Sequence, residues 1–453
     1  MESLIQKYNV PGPRYTSYPT VPYWDLKSFS EKAYISTHKT AFNLSNSKGG
    51  ISLYIHLPYC DSLCTFCGCN KRITKNHAVE KPYIEAVLKE WQIYLSHFSA
   101  TPILSELHLG GGSPSFFSPE NLEFLVTGLL RHVKIAENAE FGFEGHPNNT
   151  TAEHLNTLYR LGFRRVSFGV QDYDPVVQKA IHRIQPFENV KLVTELSKSI
   201  GYESVSHDLI YGLPFQTIET ITDTIHKTLS LKPDRLAFYS YAHVPWLSGN
   251  GQRGFMDNDL PTAEEKRKFY EVGKKLFEQN GYLEIGMDHF ALANDSLFIA
   301  AKEGRLNRNF MGYATSKAQL LVGLGVSSIS DTGLGFSQNV KDVDEYINLL
   351  NNNILPIQKG HILSSEDLIT RRQITSIMCQ FTASWSDGEF SAEEREQLAA
   401  KLKMFEADGL ITLAANYLEV LPKGKPFVRN ICMAFDKRMF HEQKVGRIFS
   451  QTI

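Results

Sequence analysis

A chain of 453 residues, 42% hydrophobic and 21% charged, has the composition of a globular protein and the length of two or three domains. Its formal net charge of −2 excludes the overall basic footprint of a nucleic-acid or anionic-membrane binder. No stretch approaches the roughly 18 apolar residues of a membrane helix, and the opening MESLIQKYNV lacks the basic start and apolar run of a secretion signal, so the expected setting is the cytoplasm.

In chain order, residues 1–49 are rich in Pro, Tyr and Thr, with weak periodicity. The stretch 11-PGPRYTSYPT-20 combines aromatics with prolines rather than solubilising charge and reads as an ordered arm. From 50 to 300 apolar β-rich runs alternate with helical stretches. Strands are expected at 51–58, 105–111, 140–145, 165–170, 204–212 and 235–241. Between them, 80–98, 119–133, 151–163, 187–201 and 218–231 carry apolar residues at three- and four-residue spacing, several opening with Pro or Thr. Such alternation argues for an α/β fold built on a parallel sheet with right-handed crossovers. Six units are too few for a closed eight-stranded barrel. A doubly wound sheet fits, and so does the expected architecture, an open partial parallel β/α barrel. The rhythm stops after about residue 300. The segment 312–333 reads as a helix–turn–strand piece within a connector, 301–354, packed on the barrel. The remainder, 355–453, reads as a small, mainly helical C-terminal domain whose hairpin-like 411–424 forms a β-wing.

Six cysteines divide unevenly. Cys379 and Cys432 stand alone and read as buried core thiols. Cys60, Cys64, Cys67 and Cys69 fall in 60-CDSLCTFCGC-69, directly after the first strand. A secreted disulfide framework would spread its cysteines, so the cluster reads as a metal site in a reducing compartment. Thiolates are the usual ligands of iron–sulfur clusters. Three of them on a four-iron cube leave one iron open, as catalytic zinc keeps an open position. The plain alternative, a structural zinc on all four cysteines, lacks the second, separated ligand pair that such sites usually use.

After the second strand comes 110-GGGSP-114, where glycines allow close backbone approach to a ligand. Glu144, Gln171 and Asp208 fall at or near the carboxyl ends of strands three, four and five. Arg183 follows strand four, and Ala242 lies just beyond strand six. In parallel barrels those strand ends gather at one mouth, where chemistry occurs.

The C-x₃-C-x₂-C spacing, with Phe66 before its last cysteine, resembles the radical S-adenosylmethionine superfamily. PGPRYTSYPT, SLYIHLPYCDSLCTFCGCN, GGGSP, GVQD, DLIYGLP, YAHVP, GMDHF and RNICMAFD together resemble, nearly end to end, its oxygen-independent coproporphyrinogen III oxidase family. The resemblance implies oxidative decarboxylation of two propionates of coproporphyrinogen III to vinyl groups, giving protoporphyrinogen IX in porphyrin and haem biosynthesis. It implies a [4Fe–4S] cluster on Cys60, Cys64 and Cys67, with Cys69 not a ligand, and two S-adenosylmethionine molecules. Tyr54, Gly111, Glu144 and Ile329 match residues around the first molecule. Phe66, Gly112, Ser113, Gln171, Arg183, Asp208 and Ala242 match those around the second. No side chain is implied as a catalytic acid or base, because the chemistry is carried by the cofactor radical. A flavodoxin- or ferredoxin-type electron donor, a monomer, and no nucleic-acid or membrane partner complete the expectation.

Two departures stand out: Ser113 replaces the usual Thr, and His146 follows Glu144 where Asp or Asn is common, bringing a group that titrates near neutral pH. A substrate with four carboxylates calls for cations, and Arg14, Arg305 and Arg308 are the candidates. The rival readings are a haem chaperone or haem-modifying relative on the same scaffold, and a non-catalytic metal-binding interaction protein.

Overall fold

Ile51–Leu57 (β1) is buried at every residue, as a strand covered on both faces must be. It heads a parallel series with Ile103–Gly111 (β2), Lys134–Gly145 (β3), Arg165–Gln171 (β4), Ser204–Tyr211 (β5) and Arg235–Ser240 (β6). Beyond β6 lie Tyr282–Gly286 (β7) and His289–Leu292 (β8), both antiparallel to their neighbours. On the other side of β1, Leu320–Leu324 (β9) pairs parallel to it. Ile329–Asp331 (β10), Gly335–Asn339 (β11) and Ile357–Ile362 (β12) extend that flank antiparallel. The 12-stranded sheet runs β12-β11-β10-β9-β1-β2-β3-β4-β5-β6-β8-β7 and has two free edges, so the barrel is open. The computed structural model describes residues 3–246, 252, 254–316, 318–441 and 448–452.

The five expected helices are present as Glu80–Leu95, Pro119–Leu130, Ala152–Arg160, Phe187–Ile200 and Ile218–Ser230. Local chemistry sets their ends. Ser118 caps the second with Pro119 in its first turn. Gly201 ends the fourth at φ 110°, a left-handed cap that glycine adopts without strain. Their apolar stripes pack on one face of the sheet in two cores: one joins Leu53, Ile55, Leu107, Leu109, Phe143, Val166, Phe168 and Val205, and the other packs Val190, Ile221 and Ile225 against Val170, Leu209, Leu236 and Phe238. Side chains alternate along a strand, so the intervening residues face inward. These include Tyr54, Glu106, His108, Glu144, Ser167, Asp208 and Tyr239, and most of them line cavities inside the open barrel.

Three expectations need correction. The segment 312–333 contains no helix among its described residues. Its apolar run is β9, buried at all five positions and serving as the seventh parallel strand. The arm is more regular than its weak periodicity implied, for it holds a 15-residue helix, Glu31–Ser45. That helix buries Tyr34, His38, Ala41, Phe42 and Ser45, and the polar His38 and Ser45 interrupt the hydrophobic stripe. The helical C-terminal part starts later than the expected residue 355, because Ile357–Ile362 is β12 of the large sheet. Helices Ser365–Gln380 and Ala392–Ala407 accompany the hairpin Ile411–Ala414/Tyr417–Val420, and a third strand, Thr382–Ser384, pairs with it. Arg429 binds the arm to this domain by donating to the carbonyls of Gly12 and Pro13, and it also holds those of Gln451 and Thr452.

The buried carboxyl of Glu90, on helix Glu80–Leu95, accepts from Gly325 N–H (2.9 Å), Asn339 Nδ2 (2.7 Å) and the Tyr346 hydroxyl (2.5 Å). Glu90→Ala removes the acceptor of the Gly325 N–H and the Tyr346 hydroxyl and one of those of Asn339 Nδ2, and should cost about 2–4 kcal/mol of stability in urea unfolding. Burial raises the Glu90 carboxyl to about 7 from a usual 4.5. Its contribution is therefore complete below the unfolded value and is lost as pH rises through about 7, a slope that the variant should lack.

Candidate functional site

The loop leaving β1 folds back on itself. Tyr59–Cys60 pairs with Arg72–Ile73, Arg72 N–H donating to Pro58 O (2.8 Å) and Thr74 N–H to Cys60 O (3.0 Å). Within it, Cys67 N–H reaches Cys64 O at 3.2 Å, and Lys71 Nζ holds the carbonyls of Cys67 (3.1 Å) and Cys69 (3.4 Å). Thr65 ties the loop to the far wall through Ile181 O and Ala180 O. Cys60, Cys64, Cys67 and Cys69 thereby border one cavity, with Lys71 and Arg183 beside them. Arg183 Nη1 lies 3.7 Å from Cys64 Sγ.

Burial pushes the Cys60 thiol up to about 12, with the neighbouring Cys67 and Cys64 adding to it. The hydrogen bond between Cys67 and Cys69 holds Cys67 down and Cys69 up, and Lys71 and Arg183 also favour the Cys67 thiolate. Thiolates with two cations at hand suit an anionic cluster ligated through sulfur. Among the described residues no three ligating side chains converge as they would on a single ion.

Glycine is required at the end of β2. Gly111 has φ +112°, and a Cβ there would sit 2.8 Å from the His56 ring; one on Gly112 would sit 2.7 Å from the Pro58 carbonyl. The turn continues the parallel ladder, since Gly112 N–H donates to Leu57 O (2.8 Å) and Ser113 N–H to Tyr59 O (3.0 Å). Glu144 accepts from Gly111 N–H at 3.2 Å and stands 3.4 Å from His108 Nε2. Asp208 accepts from the Ser167 hydroxyl at 2.8 Å. Burial raises its carboxyl to about 7, with the Glu144 charge adding to the shift.

Gln171, at the end of β4, takes φ +68°, strained for a side-chain-bearing residue, and lines the same cavity. Arg183 Nη2 donates to Gly169 O (2.6 Å), whereas its Nε is buried without a partner among the described residues. The side chain lines the cavity, so its charge is at hand for an anionic ligand there. His146 does not titrate near neutrality as the sequence implied. Burial, reinforced by Arg183, lowers it to about 3, so the ring stays neutral and its Nδ1 accepts from Asn148 N–H.

The remaining expected residues are placed unevenly. Tyr54 is buried on β1, with its hydroxyl 3.2 Å from His56 Nδ1 and its ring edge-on to Phe310 at 4.9 Å. Ile329 begins β10, its backbone packed over Gly323, the register partner of Tyr54. Phe66 lines the cavity. Ala242 does not, but Gln252 Nε2 joins its carbonyl (3.1 Å) to that of Phe66 (3.3 Å). Arg14 donates to Ser240 O (2.9 Å) and lies 3.7 Å from Asp288. Arg305 is exposed and ion-paired with Glu303, and neither it nor Arg308 lines these two cavities, Arg308 bordering another beside Glu106 and Arg371. Arg308 packs over the Tyr313 ring at 4.6 Å, with Nε and Nη1 buried and lacking a partner among the described residues. His56, His108 and Phe310 were not anticipated. Two-residue alternation from Tyr54 to His56 and from Glu106 to His108 was the signal for the histidines, whereas Phe310 reaches Tyr54 from a distant hairpin. Glu144, Ser167 and Asp208 also line a second, inner cavity with Tyr239, His289 and Asn309, so the two spaces adjoin.

Comparison with known proteins places these features in company. Residues 54–228 match the Radical SAM superfamily. The chain is 39% identical to the oxygen-independent coproporphyrinogen III oxidase of Synechocystis, covering 99% of this chain and 97% of that protein. It is 38% identical to the protein of the same name from Pseudomonas aeruginosa, covering 98% of each. The solved structure of coproporphyrinogen III oxidase from Escherichia coli, described as a radical SAM enzyme, superposes with a TM-score of 0.86 at 34% identity, covering 94% of this chain and 97% of that one.

Gly111→Ala should leave the far-ultraviolet circular dichroism unchanged while weakening S-adenosylmethionine binding at least about tenfold, because the new methyl group displaces His56 and the backbone N–H held by Glu144. Equilibrium dialysis under anaerobic conditions provides the measurement.

Proposed function

Because the chain belongs to the oxygen-independent coproporphyrinogen III oxidase family, we infer that it converts coproporphyrinogen III to protoporphyrinogen IX by oxidative decarboxylation of two propionate side chains. Each propionate loses a hydrogen atom and carbon dioxide and releases one further electron to an acceptor. The observation that carries the reading is the junction of β1 and β2, where three cysteines and a glycine turn border one cavity beneath the inward-facing Glu144 and Asp208. When bound there, the iron–sulfur cluster and S-adenosylmethionine together supply a 5′-deoxyadenosyl radical that abstracts the propionate hydrogen.

The chain's own residues hold and shield these groups. Cys60, Cys64 and Cys67 would hold the cluster, and Lys71 and Arg183 would offset its charge. Glu144 and the Gly111 backbone would receive the amine of S-adenosylmethionine, and the Arg183 guanidinium would meet its carboxylate. Tyr54, buried on β1, is held in place by the edge-on ring of Phe310. Two molecules of S-adenosylmethionine are favoured because the matched residues separate into two sets. One gathers around Tyr54 on β1; the other extends along β4, β5 and the loop beyond β6.

Arg308 offers two buried, unpartnered donors to a substrate carboxylate, and Arg14 stands at the carboxyl end of β6. Arg305, engaged by Glu303, drops out of the substrate set. No helix among the described residues is long and apolar enough to cross a membrane, and the reading is of a cytoplasmic monomer that receives electrons from a flavodoxin- or ferredoxin-type protein.

Anaerobic incubation with coproporphyrinogen III, reductant and S-adenosylmethionine should yield a porphyrinogen lighter by two carboxyl groups, read by mass spectrometry of the oxidised porphyrins; unchanged substrate with reconstituted protein would sink the reading. Cys64→Ala should lose cluster iron, sulfide and visible absorption, whereas Cys69→Ala retains them. Arg308→Ala should raise KM for the substrate about tenfold or more with little change in S-adenosylmethionine binding.

A further inference from the structure

A separate small cavity lies where the arm, the barrel and the C-terminal domain meet. Five cations line it, Arg14, Lys266, Arg267, Lys425 and Arg429, with Asp288 the one acid among its lining residues. Its volume of about 60 Å³ suits one small group rather than a ring. Tyr211 and Ser240, the last residues of β5 and β6, form its floor, so it sits at the carboxyl ends of these strands. The cysteine loop and the glycine turn follow β1 and β2, on the other flank of the mouth.

Acids among the lining residues do not match this charge. Asp288 is engaged twice, by His289 at 2.9 Å and Arg14 at 3.7 Å. Arg267 is paired with Glu271. Lys425 is 3.7 Å from a Glu284 oxygen that Lys274 holds at 2.6 Å. Lys266 donates to the Tyr241 carbonyl, and Arg429 to four main-chain carbonyls. Burial lowers Lys266 to about 8 and Arg429 to about 9, and the Arg14 charge adds to both shifts. An anion placed among them would relieve that repulsion.

We propose that this cavity binds one carboxylate of the tetrapyrrole, a propionate that is kept rather than decarboxylated, and so holds the ring while its other side chains reach the reacting flank. The proposal rests on the substrate reading above. It is consistent with the chemistry, since the product retains two propionates that a fixed anchor could grip throughout both rounds.

The test uses the full-length reconstituted protein and fluorescence titration with three air-stable probes: coproporphyrin III, protoporphyrin IX and protoporphyrin IX dimethyl ester. Lys266→Gln should weaken both acids about tenfold and leave the ester unaffected. Lys425→Gln, at the more exposed side of the cavity, is the second variant should the first unfold. In turnover, KM should rise while kcat holds within about twofold. Unchanged acid affinity in both folded variants, or an equal loss for the ester, overturns the anchor. Failure of the unsubstituted enzyme to bind or convert any tetrapyrrole overturns the functional reading instead, so the two failures are distinct.

Discussion

The parallel ladder between β1 and β2 does not stop where the strands do. Gly112 and Ser113 keep donating to Leu57 and Tyr59 as the first chain turns into the cysteine loop. This register fixes where Cys60 emerges and sets the glycine backbone against it, with Glu144 reaching across to Gly111 N–H. A side chain at either central glycine would strike His56 or Pro58. The point where the cysteine loop leaves the sheet is therefore set by main-chain hydrogen bonds continuing the ladder, which is the arrangement that preorganisation favours.

Charge is distributed to match. The cysteine rim carries cations, Lys71 and Arg183, while the floor carries Glu144 and Asp208. Burial raises the Asp208 carboxyl and lowers the His146 imidazole, so both lean toward neutral forms around the cavity. Charge is reduced on the inner walls and kept at the points where ionic ligands arrive. Low polarity around them strengthens each remaining electrostatic contact.

Much of this was legible in the sequence because the parallel strands advertise themselves. Runs such as ISLYIHL and RVSFGV alternate between a helix-covered face and an inward face, and the inward residues at their ends are the acids and amides of the cavity. What escaped has physical reasons. Strand β9 is paired with a strand more than 260 residues earlier, Leu320 opposite Ile51, and no local pattern encodes such pairing. The arm helix hid because His38 and Ser45 occupy buried positions on its stripe. Arg305 and Arg308 looked equivalent in GRLNRN. Only the fold separates them, placing Arg308 on the strand Asn307–Asn309 against Tyr313 and Arg305 on a turn beside Glu303.

The Arg429 guanidinium, holding Gly12 and Pro13 on one side and Gln451 and Thr452 on the other, has a bearing on the order of assembly. Pro11 also bridges Gln451 directly. Contacts between segments this distant require closure of a loop that spans nearly the whole polypeptide, an entropic cost met late in folding. The guanidinium thus couples two segments far apart in sequence, and loosening either one strips partners from a cation buried against the other.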